Sequence, residues 1–102
     1  MMDATVRIGT LRGLLLQALD LEYPEALSDM AAQAMLHGAG CVVGKREVQR
    51  HLEYLAGPGK DYLLLVKKSS TMWLAKLTPR GKDLLAGIIE ADPGVLLPPP
   101  GA

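Results

Sequence analysis

The triplet Gly57-Pro58-Gly59 divides this chain into two kinds of pattern. Before it, apolar residues recur at helical spacing. After it, short apolar runs alternate in the manner of extended strands. The triplet ends any helix that reaches it, because proline lacks a main-chain donor and clashes with the turn before it, while glycine loosens the backbone. At 102 residues the two halves must share one hydrophobic core. A single domain of mixed α+β class is therefore expected.

In the first half, Ile8, Leu11, Leu15, Ala18 and Leu19 follow the helical repeat between Val6 and Leu19, with Leu14 and Leu16 widening the stripe. Gly9 and Gly13 each lower helix propensity by up to about 1 kcal/mol relative to alanine, but they also let another element approach closely. Pro24 predicts the start of a second helix over about 24–36, since its fixed φ suits a first turn. Leu27, Met30, Ala31 and Ala34 would share the apolar side of that helix, and Gly38 and Gly40 would close it. A third helix is predicted over 44–56, with Gly44 as N-cap and Glu47 near the positive end of the helix dipole. Val48, Leu52 and Leu55 form its narrow core-facing stripe. Arg46, Arg50 and Glu53 fall on the opposite side, flanked by Gln49.

In the second half, Asp61–Val66 and Met72–Leu77 predict two strands joined by the polar loop Lys67-Lys68-Ser69-Ser70-Thr71, a β-hairpin. Trp73, Ala75 and Leu77 alternate toward one face of it, and Met72, Leu74 and Lys76 toward the other. Thr78 caps a fourth helix opened by Pro79, with Leu84, Leu85, Ile88 and Ile89 as its apolar side. Residues 1–91 are thus expected to form the domain. Residues 92–102, DPGVLLPPPGA, cannot continue a helix and are expected to form a Pro-rich tail, extended and mobile unless Val95, Leu96 and Leu97 dock in a groove.

Charge is unevenly spread although the formal net charge is zero. Residues 45–82 hold nine bases against three acids, while the flanking segments are both net acidic. Such a distribution suggests one face for a polyanion, the remainder keeping the protein soluble. No apolar run approaches the roughly 18 residues of a membrane span. Arginines interrupt the N-terminal segment, which does not read as a signal peptide. The single cysteine, Cys41, allows no intrachain disulfide and fits a reducing, cytoplasmic setting.

The order helix, helix, helix, strand, strand, helix is that of a winged helix-turn-helix: a three-helix core, a two-stranded wing and a C-terminal helix. Two segments carry a resemblance. Leu77-Thr78-Pro79-Arg80-Gly81 resembles the Leu-Thr-x-x-Gly segment that leaves the wing in winged-helix regulators, and residues 42–55 are similar to the recognition helix of that superfamily. Trp73 through Gly81 together with Pro93-Gly94-Val95 resembles the small winged-helix proteins encoded by Mu-like transposable prophages, over roughly residues 5–97. For such proteins the resemblance implies the fold and a DNA-binding role.

The function expected from these residues is binding of duplex DNA, with helix 44–56 in the major groove. Arg46, Gln49 and Arg50 are of the types that reach base edges or phosphates. Lys67 and Lys68, with Ser69, Ser70 and Thr71, would hold phosphate from the hairpin loop or enter the adjacent minor groove, and Lys45, Arg80 and Lys82 would add backbone contacts. Glu53 opposes this unless it pairs with Arg50 or meets a cytosine amine. The alternative is a protein-interaction module, because apolar residues on both hairpin faces call for a cover, and a homodimer fits either function. No enzyme, cofactor or metal site is expected. His37, His51 and Cys41 lack the spacing of a metal site or a nucleophile–base pair, and no glycine cluster forms a phosphate loop.

Overall fold

The computed structural model describes residues 4–97. It is a compact α+β fold of four helices and a three-stranded antiparallel sheet. The elements are α1 (Ala4–Glu22), β1 (Leu27–Ser28), α2 (Asp29–Gly38), α3 (Lys45–Ala56), β2 (Leu63–Lys67), β3 (Trp73–Leu77) and α4 (Pro79–Leu85). None of the described helices is long and apolar enough to cross a membrane.

With no phenylalanine in the chain, the core is aliphatic apart from Tyr62. Leu11, Leu15, Leu16 and Leu19 of α1 pack with Val48, Leu52 and Leu55 of α3, and Ala75 and Leu77 of β3 close one side. The α3 stripe is as its spacing predicts: its three aliphatic residues are fully buried, and Gly44 stands at the N-cap in extended conformation. The hairpin also forms as expected, with Leu63 opposite Leu77 and Lys67 opposite Trp73. Thr78 caps α4 by accepting the Gly81 N–H at 3.1 Å. Gly81 itself is required there, because a methyl group would collide with the Tyr62 carbonyl. This gives the Thr-x-x-Gly spacing a steric cause.

Three expectations are corrected. Pro24 does not open a helix. It lies in a turn, and the chain then runs extended so that Leu27 and Ser28 pair with Ala75 and Leu74. The second helix starts at Asp29, where the Ser28 hydroxyl accepts the Ala31 N–H. The buried face of α2 is accordingly Asp29, Ala32 and Leu36, while Met30 and Ala34 point outward. The hairpin is thereby part of a three-stranded sheet in the order β1-β3-β2. Finally, α4 stops at Leu85, where main-chain bonds from Gly87 to Leu84 and from Ile88 to Asp83 close it. Leu84 is buried, but Ile88 points to solvent.

Residues 92–97 dock, the second of the two possibilities read for the tail; Pro98–Ala102 lie outside the described residues. Asp92 is 5% exposed. Its carboxylate accepts from the Tyr54 hydroxyl at 2.9 Å, the Tyr62 hydroxyl at 3.1 Å and the Gly94 N–H at 2.7 Å, and Lys60 completes the set at 2.9 Å. Burial alone would raise its pKa; Lys60, the Gly94 amide and the two tyrosines outweigh that and hold it at about 2. Arg12 lies on the Tyr54 ring and donates to the Gly94 carbonyl at 3.2 Å. Beyond this anchor the Leu96 N–H donates to the Gly9 carbonyl at 3.0 Å, and the Leu96 carbonyl lies directly over Gly13. The two α1 glycines therefore provide a seat for the tail.

A test follows from that seat. Alanine at position 13 gains up to about 1 kcal/mol of helix propensity, but it forces a methyl group into the Leu96 carbonyl, an overpacking cost of about 1–3 kcal/mol. Gly13→Ala is expected to lower Tm and to speed hydrogen exchange at the Leu96 amide. An increase in Tm with unchanged exchange would show that the glycines are a mere propensity defect.

Candidate nucleic-acid interface

The side of α3 opposite its aliphatic stripe faces an open groove whose other wall is the hairpin. Arg46, Gln49, Arg50 and Glu53 line it from the helix, and Lys67, Ser70 and Trp73 from the strands and their loop. Arg46 and Arg50 are exposed, and neither guanidinium has a hydrogen bond or ion pair among the described residues. They lie one turn apart, so the helix presents both along the same edge.

Other groups of the expected site are engaged inside the protein. Gln49 Nε2 donates to the Asp29 carboxylate at 2.9 Å. Asp29 is buried at the start of α2 and also accepts the Met30 N–H. Gln49 thus braces α2 against α3 and is not a free reader of bases. Lys67 pairs with Glu53 at 2.9 Å and lies over the Trp73 ring at 4.5 Å. The partner of Glu53 is therefore Lys67 rather than Arg50, and the carboxylate in the groove is neutralised from the hairpin. Lys45 Nζ donates to the Thr71 carbonyl, fastening the loop to the first turn of α3.

At the loop, the Ser69 hydroxyl accepts the Thr71 N–H at 3.2 Å and the Met72 N–H at 3.1 Å. Its role is to shape the turn. The Lys68 side chain is exposed and unpaired among the described residues. Arg80 and Lys82 do not line the groove. The Arg80 Nε donates to the Lys60 carbonyl at 2.7 Å, and Lys82 pairs with Asp20 at 2.8 Å, which raises its pKa. The cationic set that faces outward beside α3 is therefore Arg46, Arg50 and Lys68.

The helix is also held on its α1 side. Glu47 pairs with Arg7 at 2.6 Å and lies 3.4 Å from His51 Nε2. Arg12 Nε donates to His51 Nδ1 at 3.3 Å. An Nδ1 that accepts carries no proton, so His51 is neutral and donates through Nε2. Burial, followed by the nearby arginines, lowers its pKa, with Glu47 opposing. His37 meets the Val43 main chain.

Ser70 lies in the groove wall, as the loop reading has it, whereas the sequence pattern assigns neither Trp73 to the groove nor Asp29 as a brace. The Ser28-Asp29 pair, a capping residue followed by a first-turn acid, was the local signal for the last of these. Comparison with protein-family models, with characterised proteins and with solved structures finds no match to this chain.

Proposed function

We propose that the chain is a winged helix-turn-helix protein that binds duplex DNA, with α3 as the recognition helix and the 67–71 loop as the tip of the wing. The observation that carries the reading is the pair Arg46 and Arg50, exposed and unpaired on a helix whose opposite side is fully buried. Supporting it are the α2–α3 pair in the helix-turn-helix position and the sheet order β1-β3-β2 with its hairpin beside α3. A helix with two free guanidinium groups on its outer edge suits the major groove, where arginine bonds guanine O6 and N7 or phosphate. Lys68 reaches the neighbouring backbone in that arrangement. No catalytic step and no cofactor belongs to this function. Its setting is the cytoplasm, and the resemblance to Mu-like prophage proteins suggests a phage-encoded regulator.

A salt titration tests the reading. Each phosphate neutralised contributes a slope of about −0.9 to log K against log salt. Three outward cations therefore predict a slope near −3, to be measured by fluorescence anisotropy on a random duplex and on sites enriched from a pool. Absence of binding at low salt would end the proposal. A salt-independent affinity would assign the contact to apolar association instead.

A second reading, a protein-interaction module on the same scaffold, is favoured by the hairpin's outer face. Leu64, Val66 and Met72 are all exposed there.

A further inference from the structure

β2 is an edge strand, hydrogen-bonded on one side only. The Thr78 N–H donates to the Tyr62 carbonyl and the Lys68 N–H to the Met72 carbonyl. Main-chain groups alternate sides along an antiparallel ladder, so the even-numbered residues of β2 turn theirs to β3. Those of Leu63, Leu65 and Lys67 face away from it, and no main-chain partner meets them among the described residues. Natural edge strands are guarded by charges, proline or a bulge, because an open apolar edge pairs with another chain. From Leu63 to Val66 this edge has no such guard. Leu64 is 59% and Val66 43% exposed on the same strand. Open donors and bare aliphatic side chains coincide here.

The charges say which chain fits. Asp61 precedes the strand, and its carboxylate is unpaired among the described residues; at the other end Lys67, paired with Glu53, closes the strand, and Lys68 follows it unpaired. A strand with an acid before it and bases after it is complementary to its own antiparallel copy. We propose that β2 joins two copies of this chain about a two-fold axis through Leu64, forming a continuous six-stranded sheet.

In this register Leu63 lies opposite the second copy's Leu65 and exchanges main-chain hydrogen bonds with it. Leu64 meets its own counterpart, and Val66 lies diagonally across from that residue. Asp61, where the backbone turns out of the strand at φ 55°, comes to the end of the sheet that carries the second copy's unpaired Lys68, next to its Lys67–Glu53 pair. A shift of the axis by half a residue would set outward residues against inward ones. Placing the axis on Leu65 keeps the faces matched but carries Asp61 past Lys68, toward the loop at Ser69, and weakens the charge match. The contact is isologous, as a closed dimer requires.

Sedimentation equilibrium without nucleic acid tests this. Wild-type protein is expected to reach twice the monomer mass at high micromolar concentration. Leu64→Lys and Leu64→Glu are each expected to stay monomeric, since like charges then face each other, while their equimolar mixture returns the doubled mass. Asp61→Lys leaves the strand untouched and is expected to weaken the dimer about tenfold through two repelling end pairs. A monomeric wild type overturns the proposal and leaves the edge to a different protein. A dimer that persists in both Leu64 variants overturns it by placing the contact elsewhere. A mixture that stays monomeric, or an Asp61→Lys dimer of wild-type strength, overturns the register.

Discussion

Replacing Arg46 and Arg50 together by alanine is expected to abolish DNA binding while leaving the protein as stable as before. Each guanidinium that reaches a base edge or phosphate contributes about 1–3 kcal/mol. The double variant therefore loses at least about thirtyfold in affinity. Neither guanidinium has a hydrogen bond or ion pair among the described residues, and both sites are exposed helix positions where substitution changes stability within about 0.5 kcal/mol. Lys82→Ala is the matched control: it also removes a cation, but one held by Asp20 away from the groove. Mobility shifts with all three proteins, beside their thermal melts, decide the matter. An Arg46→Ala/Arg50→Ala protein that binds like wild type would remove α3 as the contact. Equal losses in that variant and in Lys82→Ala would reduce the effect to net charge.

The second large effect lies away from the groove. Asp92→Asn keeps the shape of the tail anchor but removes the charge that Lys60, Tyr54, Tyr62 and the Gly94 amide surround. In the folded protein the carboxyl sits at about 2, below its ordinary 3.8. That depression corresponds to stability on the order of 2 kcal/mol, or roughly 10 °C in Tm for a domain of this size. The folded state favours the ionised form, so the contribution is complete above about pH 4 and falls away as pH drops through about 2. Melts of wild type and Asp92→Asn are expected to differ by this margin at neutral pH and to converge in acid. A gap that persists unchanged to pH 2 would assign the loss to packing rather than charge. Equal melts at pH 7 would show that the anchor contributes nothing.

Much of the architecture was readable because it is local. Val48, Leu52 and Leu55 declare a buried stripe by spacing alone, and Arg46 and Arg50 are outward by the same geometry. Thr78-Pro79 marks a helix start with two adjacent residues. The early end of α4 is set locally, by the left-handed Gly87, but the other corrections come from partners distant in sequence. Leu27 and Ser28 are extended because Ala75 and Leu74 wait for them in the sheet, and that pairing outweighs the helical preference read from Pro24. The tail docks because Gly9 and Gly13 on α1 leave it a seat, a use of those glycines that the α1 periodicity allows but does not specify. The same holds for the site. Gln49 looks like a reader until Asp29 is found beside it, and Lys67 looks like a wing-tip cation until Glu53 and Trp73 hold it. A side chain's type indicates what it can bond, whereas its availability depends on the three-dimensional neighbours.

The polar contacts around α3 come from several directions: Glu47 to Arg7 of α1, Gln49 to Asp29 of α2, Glu53 to Lys67 of β2 and Lys45 to the hairpin loop. They act like guy-lines on a mast. A polyanion pulling on Arg46 and Arg50 cannot roll the helix about its own axis without slackening some of these ties and stretching others. On the proposed function, adjustment to a bound duplex is then confined to the two arginine stems and the Lys68 side chain, and the exposed edge of α3 is held in its aim before any contact is made.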